Sequence, residues 1–387
     1  AYAVVSYQTA WLKAHHTAAF MAATLSSELD NTDQLRVFYE DTLAAGAKVL
    51  PPDINVSNYR FEPVSRGEIR YGLGAIKGTG ESAIESIVAE REARGPFRDL
   101  FDFCRRVDKR IINRRVIEAL IRAGAFDSLT DQRAALLATV GRAMESAEQH
   151  SRAAHQNSLF EMMEERADGA EALVEVPRWS EGERLLNEKK ALGFYYSGHP
   201  YDAYRGEVEG FVKTRLADLS PQSQPVWLAG IIYAVRTQMT RRGKMAFVAL
   251  DDGSARTEVS VFSELFDARR DLLKEDQLLI VEGKVSRDDY SGGMRVVADR
   301  LFDLAEARGH CAKLLRVHIN GQADARRLRE ILSPYRDGAC PVRVSYRNAS
   351  ALCEVDLGEG WKVRLQDDLL AQLTDWLHAE NVRVLYA

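Results

Sequence analysis

Residues 69–92 read IRYGLGAIKGTGESAIESIVAERE. A helix cannot run through Gly72, Gly74, Gly78 and Gly80, because each interior glycine costs roughly 1 kcal/mol relative to alanine. The stretch predicts a turn after Ile76 and a helix from about Glu81. Within Ile76-Lys77-Gly78-Thr79-Gly80, two glycines one residue apart precede a helix. Their backbone N–H groups face outward and, with the helix N-terminus, form an anion site. A hairpin of this kind between helices grips a phosphate without reading base sequence. A tight turn that binds nothing fits the five residues equally well. A P-loop is excluded, since G-x-x-x-x-G-K-[ST] does not occur.

Downstream lies FRDLFDFCRRVDKRIINRRVIEALIRAGAFDSL, residues 97–129. Its apolar positions suggest two helices with a break near Ile112 and Asn113, and Gly124 as a C-terminal stop. Arg105, Arg106, Lys109, Arg110, Arg114 and Arg115 lie within eleven residues, against the single acid Asp108. Asn113 sits where the turn belongs, and asparagine tolerates the left-handed region. The run reads as a second, degenerate hairpin. Two in tandem grip successive phosphates of a duplex, a reading favoured over a solvated helix face.

Upstream, residues 1 to about 50 are helical by apolar spacing, and LPPDINVSNYRFEP breaks the pattern. Residues 131–170 are Ala-rich and helical, then charged. WSEGERLLNEKKALG, residues 179–193, is a helix with Ser180 as cap. From Pro225 the character changes to short β-branched and aromatic runs, VWLAGIIYAVR, MAFVALDD, TEVSVF, QLLIVEGKVSRDD and GMRVVADRLFDL. One helix falls after the third run, which is the order of an OB-fold β-barrel. The first hairpin of this barrel carries Arg236, Arg241, Arg242 and Lys244 near Tyr233 and Phe247, a mixture suited to single-stranded nucleic acid. Phe247 and Phe262 are expected in the barrel interior, which leaves the loop cations as the candidates. Residues 313–387 read as a small α+β domain in which KLLRVHI, CPVRVSY, ALCEVDL, WKVRL and VRVLY are strands. The class is multidomain α+β.

The formal net charge is −5, distributed unevenly. Residues 70–122 hold 12 basic and 8 acidic side chains, whereas residues 143–175 hold 2 basic and 8 acidic. A basic block on an acidic chain points to a nucleic-acid face more directly than the total does. There is no apolar run of membrane-spanning length and no signal peptide. A first residue that is Ala, already in helical sequence, suggests that the chain starts inside a larger protein. Cys104, Cys311, Cys340 and Cys353 are scattered without C-x-x-C, so a reducing compartment without a zinc site is expected.

Catalytic residues are not found. No Asp-x-Asp offers a two-metal carboxylate pair, and no nucleophile motif or metal-ligand spacing occurs. Asp251–Asp252, Asp288–Asp289 and Asp367–Asp368 read as turn and cap residues. His199 reads as structural. In HQNSLFEMM, residues 155–163, an apolar pair sits in strongly acidic surroundings. Gln156, Asn157, Ser158, Leu159 and Phe160 suit a short peptide that docks in a partner's pocket. There Leu159 and Phe160 anchor by burial and the Gln156 amide fixes register. A helix face packed on its own protein is the alternative.

Taken in order, SYQTAWLKAHHTAAFMAA, YGLGAIKGTG, NRRVIEALIRAGAFD, LGFYYSGHPYDAY and MAFVALDDGSARTEVSVF resemble the C-terminal half of the bacterial replicative DNA polymerase III alpha subunit. The resemblance implies the end of a fingers domain at 1–66 and a tandem helix-hairpin-helix DNA-binding region at 67–130. It implies a helix and clamp-binding segment at 131–178, a helical connector at 179–224 and an OB domain at 225–308. Residues 312–387 would bind the tau subunit of the clamp loader. It further implies that residues 156–160 dock into the sliding clamp, the beta subunit, and that primed duplex DNA and single-stranded template are the nucleic-acid partners. The family's palm, with its Mg²⁺, is not represented. The chain is therefore expected to be inactive alone, to need no cofactor of its own, and to be cytoplasmic and nucleoid-associated. Thr17 stands where the family often has Pro. A repair or recombination protein with hairpin and OB modules is the other reading.

Overall fold

A computed structural model describes residues 2–156, 172–241, 243–287, 293–320, 324–348 and 351–386. The chain divides into two compact units, residues 1–198 and 199–387.

The first unit begins with α1 (Tyr2–His15), α2 (Thr17–Ser27) and α3 (Thr32–Ala44). α1 buries none of its residues, and Thr17 opens α2. Three short strands follow, β1 (Lys48–Leu50), β2 (Glu62–Pro63) and β3 (Glu68–Arg70), in the order β1-β3-β2. Then come α4 (Glu81–Arg94), α5 (Leu100–Arg106), α6 (Arg114–Ala123), α7 (Arg133–Gln156) and α8 (Glu181–Leu192). Polar caps set the starts of α5, α6 and α8. Asp99 accepts from the Asp102 amide, Asn113 from the Val116 amide, and Ser180 forms a reciprocal capping box with Glu183. Gly124 and Gly193 end α6 and α8 in the left-handed conformation. The core is aromatic at its centre, with Phe103 edge-on to Phe97 at 4.9 Å and to Phe126 at 5.1 Å. One buried charge cluster ties α8 to the base of α7. Fully buried Glu188 accepts from Arg133 at 2.9 Å and from the Ser197 hydroxyl at 2.8 Å.

In the second unit, α9 (Asp202–Val208) precedes β4 (Val226–Thr240), β5 (Gly243–Asp251), β6 (Arg256–Val261), α10 (Ser263–Arg269), β7 (Leu278–Arg287) and β8 (Met294–Phe302). The strands pair in the order β4-β5-β6-β8-β7, and β7 also pairs with β4. Leu228, Ile232, Val248, Val259, Val281 and Val296 fill the interior. α11 (Leu304–Cys311) leads into the tail, which contains β9 (Ala312–Asn320), α12 (Ala325–Leu332), β10 (Arg336–Cys340), β11 (Val342–Arg347), β12 (Leu352–Asp356), α13 (Asp367–Leu377) and β13 (Val382–Tyr386). Its sheet runs β12-β11-β9-β13.

Two tail expectations are corrected. CPVRVSY is not one strand, because Pro341 has no N–H for the ladder and separates β10 from β11. WKVRL is not a strand. Gly358 at φ +80° opens a 3₁₀ turn over Glu359–Trp361, and only isolated bridges reach Val363. Among the described residues, no helix is long and apolar enough to cross a membrane.

Candidate nucleic-acid interface

The first hairpin is built as a tight, one-sided turn. Ile76 is buried beneath it, and the Lys77 amide donates to the Ala191 carbonyl at 2.7 Å. Gly78 takes φ +84°, which costs a side-chain-bearing residue roughly 1–2 kcal/mol. Lys77, Gly78 and Gly80 face solvent. The Gly78 and Gly80 amides donate to no acceptor among the described residues. Thr79 points the other way. Its hydroxyl donates to the carbonyls of Leu73 at 2.8 Å and Ile76 at 2.6 Å, so it fastens the turn and does not face a ligand. Gly193 at the end of α8 has no room for a side chain, since a Cβ there would collide with Thr32 Cγ2 and stand 3.1 Å from Lys77 Nζ. Glu81, exposed in the first turn of α4, opposes an anion at the same helix end.

The second hairpin spans Val107–Asn113 between α5 and α6 and uses different chemistry. Asp108 organises it. Its carbonyl accepts the Ile111 amide at 3.0 Å and the Ile112 amide at 2.9 Å, and its carboxylate accepts the Arg110 amide at 2.9 Å. The Arg110 guanidinium lies 2.8 Å away, and these hydrogen bonds hold the Asp108 carboxyl below its ordinary value. Asn113 is not left-handed, as its φ is −89°; it caps α6. The turn therefore contains no glycine-like residue, and its likeness to the first is one of position only.

Its cations separate into two sets. Arg105, Arg110, Arg114 and Arg115 are exposed and Lys109 is half-buried; Arg114 also pairs with Glu118 at 2.7 Å. Arg106 turns inward. It bonds Glu90 and Asp102 at 3.1 Å each and the Gly95 carbonyl at 2.6 Å, and lies 4.4 Å above the Phe97 ring. Burial alone would raise the Glu90 carboxyl, but hydrogen bonds from Arg94 and Arg106 outweigh it and hold the group below its ordinary value. Arg106 has no donor left to offer a phosphate.

On the barrel, Phe247 is not interior. Ala246, Val248 and Leu250 point in, so Phe247 lies on the outer face, paired in register with Arg236, whose guanidinium sits 4.8 Å over its ring. Phe262 is 47% exposed and marks the end of β6, its carbonyl accepting the Phe266 amide that starts α10. Arg236 also touches Glu258 at 3.3 Å. Lys244 stands 5.6 Å over Phe266, and Arg241 is exposed at the hairpin tip. Arg242 lies outside the described residues, as do Asn157, Ser158, Leu159 and Phe160; Gln156 closes α7.

A cation–aromatic pair absent from the sequence-derived set is Arg256 over Tyr233 at 3.5 Å. Arg256 is oriented by Asp251 at 2.6 Å, and Asp251 also meets His199 at 3.2 Å. Burial would raise the Asp251 carboxyl, yet hydrogen bonds from His199, the Gly253 amide and Arg256 hold it well below the usual range. The Asp251 pair is thus more than a turn marker. Its neighbour Asp252 is one, accepting the Ser254 and Ala255 amides at 2.8 and 3.1 Å. No group of three His, Cys, Asp or Glu among the described residues is arranged to hold a metal ion.

Exposed cations over aromatic faces on a five-stranded barrel, and a glycine turn ahead of a helix, define a class of nucleic-acid-binding protein. Family models agree: a helix-hairpin-helix motif matches residues 46–136 and an OB-fold nucleic-acid-binding domain residues 226–304. A third, the C-terminal domain of DNA polymerase III subunit alpha, matches residues 327–377. The DNA polymerase III alpha subunit of Neisseria meningitidis serogroup B is 48% identical over 99% of this chain. That of Pasteurella multocida is 41% identical over 99%, and that of Escherichia coli K12 is 40% identical over 99%. The chain belongs to the DNA polymerase III alpha-subunit family and spans about a third of the length of these relatives, 34% in each case.

Proposed function

We propose that this chain is the DNA-holding and partner-holding portion of a replicative DNA polymerase, serving processivity while template-directed synthesis is carried out elsewhere in the parent protein. The observation that carries the reading is the exposed turn at Lys77–Gly80 with unengaged Gly78 and Gly80 amides, followed in the chain by four exposed arginines on and around a second hairpin. Lys77, Gly78 and Gly80 hold one backbone phosphate of primed duplex DNA. Arg105, Lys109, Arg110, Arg114 and Arg115 hold others. The outer barrel face handles single-stranded template, with Arg236, Arg241, Arg242 and Lys244 pairing phosphates while bases stack near Phe247. Gln156 to Phe160 tether the chain to the sliding clamp, and residues 312–387 bind the tau subunit. With no palm carboxylates, the chain alone leaves a primed template unextended in Mg²⁺ and nucleotides.

The test is a salt titration of binding to primed duplex, with Arg114→Ala plus Arg115→Ala beside the wild type. The logarithm of affinity should fall linearly with the logarithm of salt, and the double variant should have a slope shallower by about 1.8, roughly 0.9 for each lost phosphate contact. A flat salt profile would refute the reading. The tether is tested separately by clamp binding of Leu159→Ala plus Phe160→Ala, which should abolish it.

A further inference from the structure

The tail sheet carries a line of like charge. Register pairs Arg343 with Arg316 across β11 and β9, and Arg316 with Arg383 across β9 and β13. Residues paired in register project from the same face. That face is the one away from the core, because Leu315, Val317, Val342 and Val344 at the alternate positions are buried with Leu328 of α12 and Leu369 of α13. Adjacent strands lie about 4.8 Å apart, so three guanidinium groups share a band about 10 Å wide.

Like charges set side by side destabilise a sheet, and this one is answered at one end only. Arg343 meets Asp356 at 2.6 Å and Glu354 at 3.5 Å, both on β12. Arg316 and Arg383 have no acidic partner among the described residues, and Nε of Arg316 is buried without a hydrogen-bond acceptor. One step along the same face, His318 and Ser345 form the next paired row. They open into a groove of about 530 Å³ at the carboxyl ends of parallel β9 and β11, where Arg347 lines the same side and Trp376 and His378 border it from the end of α13, one face of the Trp376 ring lying under Arg327 at 5.4 Å. Ligand crevices form at the carboxyl ends of parallel strands for topological reasons.

We propose that this face is a binding site for single-stranded nucleic acid, with Arg316, Arg343 and Arg383 pairing successive phosphates and the groove receiving a base beside Trp376. A buried guanidinium N–H without an acceptor is well satisfied by an anion, and the planar fork suits phosphate oxygens bidentately. The aromatic groove distinguishes a nucleotide chain from a simple acidic peptide, which needs no stacking surface. The inference rests on the DNA-binding reading above and extends it to a domain for which that reading names only a protein partner.

The experiment measures fluorescence anisotropy of a labelled oligo-dT on the 387-residue chain across salt. Arg383→Ala, Arg316→Ala plus Arg383→Ala, and the barrel variant Arg236→Ala plus Arg241→Ala are compared with the wild type. Arg383 is exposed, so its variant retains the fold, and a thermal melt checks the double variant. Affinity should fall about five-fold in the double tail variant, with the salt slope shallower by about 0.7 per arginine, additively with the barrel variant. Unchanged affinity in both tail variants beside a weakened barrel variant would overturn the inference and leave the DNA reading intact. A wild type that fails to bind oligo-dT would overturn this inference and the single-strand role of the barrel, while binding to primed duplex would still test the hairpins. Tail variants that lose binding of a polyglutamate peptide but not of oligo-dT would assign the face to an acidic protein, which also overturns it.

Discussion

Among the six cations of the second hairpin, Arg106 is the one whose loss should be felt in stability. Its side chain is 10% exposed and lies against two carboxylates that are themselves 18% exposed. Arg106→Ala leaves Glu90 and Asp102 without this counter-ion and removes a donor from three carbonyls, those of Glu90, Gly95 and Pro96. Breaking a buried pair from one side costs about 3 kcal/mol. Urea unfolding should therefore shift its midpoint down at unchanged m-value, whereas Arg115→Ala, on an exposed side chain, should stay within about 0.5 kcal/mol of wild type. In DNA binding the order reverses, Arg115→Ala weakening affinity and Arg106→Ala, under conditions where it is folded, leaving it nearly unchanged. Equal stability of the two variants would show that Arg106 is no more anchored than its neighbours. Local spacing pairs Arg106 with Asp102 four residues back, but its other partner, Glu90, lies sixteen residues back, beyond any local spacing rule.

At the level of elements, the first hairpin was legible because its signal is conformational. Glycine at 78 and 80 before a run of helix formers has few other meanings, and the structure places Gly78 at φ +84° and the helix start at Glu81. Gly78→Ala should cost about 1 kcal/mol through backbone conformation alone, as a Cβ there meets no atom within 4 Å. Gly80→Ala, at φ −76°, should be close to neutral. Chemical denaturation of the pair checks this, and equal costs would point to a contact in place of a φ effect. The barrel face was less legible. In MAFVALDD both alternating sets, Ala246/Val248/Leu250 and Met245/Phe247/Ala249, are apolar, so period two does not say which set faces in. Only the paired strand decides, and it puts Arg236 opposite Phe247. Asp251 has a pH consequence. Its carboxyl titrates below the unfolded value near 4. Its stabilisation is thus fully present above about pH 4 and lost as pH falls through the lower folded value. Asp251→Asn should destabilise on the order of 2 kcal/mol at pH 7, and the gap to wild type should narrow only in strong acid. A gap already closed at pH 5 would contradict the depressed carboxyl.

Across the second unit, the barrel and the tail are joined by packing that neither segment's sequence announces. Tyr201, Val208 and Phe211 around α9 bury against Ala229, Ile231 and Ile280 of the barrel, and Tyr386 of β13 packs on the same cluster. Phe211 and Tyr386 rings lie 5.0 Å apart. Beside them Arg308 of α11 is 3% exposed and bonds Glu207 of α9 at 2.5 Å, Asp367 of α13 at 2.8 Å and the Leu365 carbonyl at 3.0 Å. Glu207 also accepts the Tyr386 hydroxyl at 2.8 Å. Burial first, and that hydrogen bond second, push the phenol well above its ordinary value. One arginine on α11 thereby ties the entry helix α9 to the start of α13. Arg308→Met keeps the volume but strands Glu207 in a partly buried position, at a cost of about 3 kcal/mol. If the unit is one cooperative body, hydrogen exchange in the variant should rise together in β4–β8 and β9–β13, by similar factors, while residues 1–198 are unaffected. Tyr386→Phe, which removes a single hydrogen bond, should produce the same pattern at about 1 kcal/mol. Faster exchange confined to β9–β13 would mean that the barrel is stable without the tail, and that a partner gripping the tail could not stiffen the Arg236–Phe247 face of the barrel through this joint.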